Sequence, residues 1–171
     1  RYPGSWPELA GLAEIIGAPV VDAYFAANLA GSHPLNVRNR LSEFLPQADV
    51  VLFVEPHVPY VPCRTSLPAD AQLIYLENDP LHAAQVSWEF PADLRLAGDP
   101  TLGLAALRAA AGDLQTSAQK STAAERAQAI ARDQARWLEA VEQRARSLAR
   151  VYPIDPEWLM YSLAQALPRE A

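Results

Sequence analysis

The chain has 171 residues, of which half are hydrophobic and a fifth are charged, so it can bury the core of about one domain. Its net charge of -6 opposes general binding to nucleic acid, which depends on clustered Lys and Arg. No apolar run reaches the length that a bilayer requires, and the lone cysteine, Cys63, cannot form an internal disulfide. We therefore predict a soluble, cytoplasmic protein that binds neither nucleic acid nor membrane.

The first predicted element is a helix. Ser5 and Glu8 have the spacing of a capping box, Pro7 suits a first helical turn, and apolar residues follow at helical spacing. Gly17 predicts the end of this helix. The Ala-Pro-Val-Val run at 18–21 is too short for another helix and predicts a buried strand. Since the chain does not begin with methionine, we expect it to be part of a longer protein.

A helix and then a strand are predicted between residues 37 and 54. The helix ends near Pro46, and its buried face consists of apolar residues at helical spacing, namely Val37, Leu41, Phe44 and Leu45. The β-branched and aromatic run at 49–54 is typical of a central parallel strand that is covered on both faces. Four prolines between residues 56 and 68 then predict an irregular loop.

Two more strands are predicted further along the chain, at 72–76 and 94–97. Asp99 and Pro100 supply the N-cap and the first-turn proline of a helix that ends near Gly112. Strands that alternate with helices in this way indicate an α/β fold with a parallel sheet and right-handed crossovers.

A long helix is predicted beyond this point, because residues 113–152 contain neither glycine nor proline. Its apolar stripe consists mostly of small side chains, so it is expected to bury little surface per turn. Seven basic and four acidic residues lie between 119 and 151, most simply as a solvated helix face, with docking to an acidic surface as the second interpretation. Asp155 then caps one more helix, whose apolar face has no core of its own.

Five short phrases occur in order along the first two thirds of the chain. They are Leu-Ala-Glu at 12–14 leading into Gly-Ala-Pro-Val-Val at 17–21, His-Pro at 33–34, Ala-Asp-Val-Val-Leu at 48–52, Asp-Pro at 79–80 and Gly-Asp at 98–99. Together, and over residues 5–112, they resemble the middle domain of thiamine diphosphate enzymes of the acetolactate synthase and pyruvate oxidase group.

This resemblance implies a doubly wound, Rossmann-like parallel sheet with flanking helices that lacks its first strand, followed by a long linker helix. It implies a central domain at 1–112, a helical linker at 113–153 and the start of a diphosphate-binding domain at 154–171. The parent would be a homodimer or homotetramer, a lyase or transferase that uses thiamine diphosphate and Mg²⁺ on 2-oxo acids. The two other domains, the partners of this one, hold that cofactor, so this chain is expected to bind neither group and to supply no catalytic residue.

Acetolactate synthase relatives also hold FAD on the middle domain, at the carboxyl ends of the strands. The resemblance makes His33, His57, Glu77 and Asp79 the cofactor-binding candidates. Flavin-binding relatives have a glycine and an arginine where this chain has Glu-Pro-His at 55–57, and a carboxylate there opposes phosphate binding. The G-x-G-x-x-G fingerprint is also absent, so we expect a vestigial nucleotide site.

The same residues have simpler interpretations. His33, His57 and Cys63 lack the spacing of a zinc site, and a catalytic Cys-His pair would need a third orienting group, so no metal site is predicted. His33 is then expected to order a turn and Cys63 to be packed. Glu77 and Asp79 either bond a ribose or cap a helix.

Two other functions stay open on the sequence alone. One is a free-standing nucleotide-binding α/β module, and the other is a non-enzymatic α/β interaction domain that docks through its basic helix. Trp88 is expected to be a core or domain-contact aromatic in any of these cases.

Overall fold

The computed structural model describes residues 4–22, 29–79 and 90–167 of the chain. It is a mixed α/β structure in which helices flank a three-stranded parallel sheet and one helix is very long. The chain divides into two compact units, Arg1–Ile130 and Ala131–Ala171. Among the described residues, no helix has an apolar stretch long enough to cross a lipid bilayer.

The sheet consists of β1 (Val50–Val54), β2 (Gln72–Glu77) and β3 (Leu94–Ala97), in that spatial order and with both pairs parallel. All three strands are confirmed where the sequence predicts them, at 49–54, 72–76 and 94–97. The predicted central place of the first is wrong, because β2 is the central strand of the described sheet and β1 lies at its edge. Val50 is accordingly 51% exposed, whereas Tyr75 on β2 is 1% exposed.

Apolar side chains cover both faces of this sheet, as the continuous hydrophobic run predicts. One face packs in a cluster whose buried members are Leu45, Phe53, Tyr60, Leu73 and Tyr75. The other face carries Leu76, which packs with Leu12 and Leu104 from two helices. Side chains along a strand alternate between faces, so each strand contributes to both layers.

The two helices on the second face are α1 (Ser5–Ile16) and α3 (Pro100–Leu114). The predicted capping box at the start of α1 is wrong, because Ser5 is already helical and Gly4 occupies the N-cap position. The predicted end is confirmed: Gly17 has φ 63°, a left-handed conformation that favours glycine. The N-cap of α3 is confirmed as Asp99, but the helix continues past Gly112.

The segment between α1 and the sheet is less regular than the sequence predicts. The expected strand at 18–21 is reduced to a single parallel bridge between Val20 and Asn36. The expected helix from Val37 is confined to α2 (Leu41–Phe44) and a 3₁₀ turn, Leu45–Gln47. Arg38 is left-handed, with φ 56°, which prevents a helix from passing through it.

The long helix is α4 (Ser117–Ser147), which begins in the first unit and ends in the second. Its first part is packed more closely than its thin apolar stripe suggests. Ala123 is 3% exposed and lies against Gly17, and Ile130 belongs to a buried cluster with Ala13 and Val37. Arg126 is exposed on this helix and donates to the backbone carbonyls of Ile16 and Gly17.

The second unit contains the last part of α4 and α5 (Pro156–Ala166), which Asp155 caps as predicted. Arg146 and Glu142 of α4 both bond the Tyr161 hydroxyl, and Arg144 pairs with Glu157. The polar and aromatic side of α5 therefore faces α4. Four large apolar side chains of the terminal segment are 40–65% exposed, namely Leu159, Met160, Leu163 and Leu167.

Candidate functional site

The site with the strongest structural argument is the edge of the sheet where the three parallel strands end. Open α/β sheets bind their ligands at this carboxyl edge, and phosphates there bind backbone N–H groups. Residue 55 follows β1, residue 78 follows β2 and residue 98 follows β3, so the loops that begin at these residues form the edge. The edge can bind a phosphate only through backbone N–H groups of these loops that are not already bonded within the chain.

Glu55 joins the ends of the first two strands. Its backbone N–H donates to the Leu76 carbonyl over 3.1 Å, and its Oε1 accepts the backbone N–H of Asn78 over 2.7 Å. The residue is held at φ 46°, an unusual conformation for a side chain larger than glycine. Pro56 follows at once and has no N–H to offer.

Asp99 accepts the backbone N–H groups that follow the third strand. Its Oδ1 accepts the backbone N–H groups of Thr101 and Leu102 over 2.7 and 3.2 Å, and its carbonyl accepts that of Gly103 over 2.9 Å. Gly98 donates to the Glu77 carbonyl, and Pro100 has no N–H. The amino end of α3, the usual position for a phosphate, is thus bonded to a carboxylate of the chain itself.

The predicted nucleotide candidates do not all share this edge. Glu77, the last residue of β2, is 3% exposed, and Asp79 follows it as an exposed residue. His57 is exposed in the loop after β1. His33 lies elsewhere in sequence and structure: its Nε2 is 3.2 Å from Glu14 Oε1 on α1, and its Nδ1 accepts the Leu35 N–H over 3.2 Å. That second bond confirms that His33 orders a turn.

No described residues form a metal site of the usual composition, since no group of three or more His, Cys, Asp or Glu side chains is close enough to hold an ion. Cys63 is exposed in the proline-rich loop, so the prediction that it is packed is wrong. Trp88 and Pro80 lie outside the described residues.

The buried tyrosine of the central strand is the main electrostatic feature beneath the edge. Tyr75 packs against Phe53 with ring centroids 4.7 Å apart, and the Arg95 guanidinium lies 4.9 Å from its ring centroid. Burial raises the pKa of Tyr75 well above its usual value, and the neighbouring Tyr60 and Glu77 raise it further while Arg95 lowers it. Within the described part of the chain its hydroxyl has no hydrogen-bond partner. The group is therefore a neutral core residue and not an acid poised for proton transfer.

A second concave region is an open groove of about 290 Å³. Its lining comes from the ends of α1 and α3 and the start of α4, namely Glu14, Ile15, Gly112, Gln115, Lys120 and Ala124. The Gln115 side chain crosses from one helix to the next and donates to the Ile15 carbonyl over 3.0 Å. We assign this groove no ligand.

Sequence reasoning found Asp99 as a helix cap but missed Glu55 as a bridge between strand ends. The Asp-Pro pair at 99–100 is a local signal, since a cap and its helix are adjacent in sequence. The bond from Asn78 to Glu55 spans 23 residues and has no local signal. Only the pairing of β1 with β2 brings the two loops together.

The described residues at the strand ends do not fit the diphosphate of FAD. The backbone N–H groups of Asn78, Thr101 and Leu102 are bonded to carboxylates of the chain, which oppose further negative charge at this edge. Comparisons of the chain with protein-family models, with curated proteins and with solved structures found no match.

Proposed function

We propose that this chain is the central domain, with its following linker, of a thiamine diphosphate-dependent enzyme that acts on 2-oxo acids. Its role is structural: it holds the two catalytic domains of the parent in register. Thiamine diphosphate and Mg²⁺ bind on those domains and supply the electron sink for decarboxylation and transfer. This chain provides no group that touches the reacting atoms.

The observation that carries the proposal is where the five family-like phrases lie in the structure. Residues 12–14 and 17–21 lie in α1 and directly after it, and residues 48–52 lead into β1. Asp79 follows β2, and Gly98 and Asp99 form the link between β3 and α3. His33 orders a turn before the sheet. Four of the five phrases thus lie in or beside an element of an alternating α/β chain, and the fifth lies in a turn, which is the arrangement that the resemblance implies.

The proposal also specifies a finer fold than the three described strands. In a doubly wound, Rossmann-like sheet, helices cover both faces and the first strand precedes the first helix. In the proposed fold, α1 is the first helix that covers the sheet. In this reading, the bridge between Val20 and Asn36 is the remnant of a further strand.

The second unit supports a chain that continues into another domain. The exposed apolar side of α5, formed by Leu159, Met160, Leu163 and Leu167, is what a helix presents when its partner is a separate layer of protein. The same surface is the observation that favours the alternative, a non-enzymatic interaction domain. The nucleotide-binding module is disfavoured by the occupied donors at the strand ends.

The test compares the 171-residue chain with the complete polypeptide that its gene encodes. We expect the complete protein to release CO₂ from a panel of 2-oxo acids only when thiamine diphosphate and Mg²⁺ are both added. The 171-residue chain alone should show no release and no calorimetric binding of either group. We also expect the complete protein to be a colourless homodimer or homotetramer.

Two results would overturn the proposal. A complete polypeptide that neither binds thiamine diphosphate nor turns over any 2-oxo acid would favour the interaction domain, and its partner should then bind the exposed side of α5. Binding of the cofactor by the 171-residue chain itself would show that the domain is not a spacer.

A further inference from the structure

We draw no further inference here: the strongest candidate, the exposed apolar side of α5 formed by Leu159, Met160, Leu163 and Leu167, carries nothing beyond the proposed function, because nothing in the described part of the structure shows what covers it.

Discussion

Similar helices differ in burial between the two compact units of this chain. In the first unit, the apolar side of α3 is buried, and Leu104 is 1% exposed between α1 and the sheet. In the second, the apolar side of α5 is turned to solvent, and Leu163 is 45% exposed. Both helices begin at an Asp-Pro cap and both carry leucines at helical spacing. The comparison shows that an amphipathic pattern predicts a helix but does not predict its partner.

The difference lies in what each helix has available to cover it. A parallel sheet offers α3 a continuous apolar face, and α1 adds a second surface. Among the described residues of the second unit, α5 has one other helix beside it, and the contacts between them include polar ones, through Tyr161 and Glu157. Exposed pairs of this kind stabilise by about 0–1 kcal/mol each, far less than burial of a leucine. The first unit should therefore dominate the stability of the chain.

The largest expected effect tests the packing at the end of α1. Gly17→Val puts a β-branched residue at φ 63°, and its Cβ would overlap the backbone carbonyl of Ala123. We expect a loss of about 4 kcal/mol of unfolding free energy, from backbone strain and forced separation together. Denaturant unfolding measures it. The control is Gly112→Ala in α3, where a Cβ meets nothing within 4 Å, and which should gain about 0.5–1 kcal/mol.

The next largest effect is expected for Leu104→Ala, which tests whether the first unit contributes most of the stability of the chain. This side chain is fully buried against α1 and β2, so its removal leaves a cavity and should cost about 3 kcal/mol. The melting temperature by circular dichroism provides the measurement. A loss below about 1 kcal/mol would mean that the cluster is looser than its burial indicates.

Tyr75→Phe should raise the free energy of unfolding, and by less than Leu104→Ala lowers it. It removes a buried hydroxyl that has no partner among the described residues, so we expect a gain of about 1 kcal/mol at neutral pH. Burial raises the folded pKa of Tyr75 above the unfolded value of 10.0, so above that pH the unfolded state ionises first and the free energy of unfolding falls. Melting temperatures from pH 8 to 11 should therefore fall less steeply in the variant.

The smallest expected effect completes the comparison. Leu163→Ala makes the same change as Leu104→Ala, also within a helix, but at a solvent-exposed position. We expect less than about 0.5 kcal/mol in the 171-residue chain. In the complete polypeptide the same substitution should cost several times more, because the proposed neighbouring domain covers this side chain. An equally small loss of unfolding free energy in both proteins would contradict the proposal that a neighbouring domain covers the exposed apolar side of α5.

The elements with an uninterrupted pattern were predictable from sequence. The short runs at 49–54, 72–76 and 94–97 locate β1, β2 and β3, and the absence of glycine and proline locates α4. Both signals are local and repeat over several residues, so one exception does not alter them. The spatial order of the described strands, with β2 between β1 and β3, was not predictable in this way because it is a tertiary feature that local patterns do not record.

Some predictions were wrong because a single backbone angle or a tertiary neighbour decides the local structure. Apolar spacing from Val37 to Leu45 fits a helix, but Arg38 is left-handed and its N–H donates to the Asn36 side chain. Ser5 has the spacing of an N-cap, but the helix already includes it. Cys63 suits a buried position by composition, yet its loop leaves it exposed. Each outcome depends on neighbours that a pattern of residue types does not record.

The same distinction between local and tertiary contacts applies to the candidate site. The role of Asp99 could be predicted because its partners are two and three residues away. Glu55 could not, because the strand pairing that brings Asn78 to it is a tertiary feature. The binding roles of His33, His57, Glu77 and Asp79 stay predictions that depend on the family resemblance.

The bond from Arg126 to the end of α1 sets a practical lower limit on how short a piece of this protein can be expressed. A truncation after Gly112 would remove Arg126 and Ala123, leaving the carbonyls of Ile16 and Gly17 without that donor. Trimming to Ile130 retains both side chains. In limited trypsin digestion, the exposed arginines beyond that point should be cut first, and the surviving piece should still include Arg126.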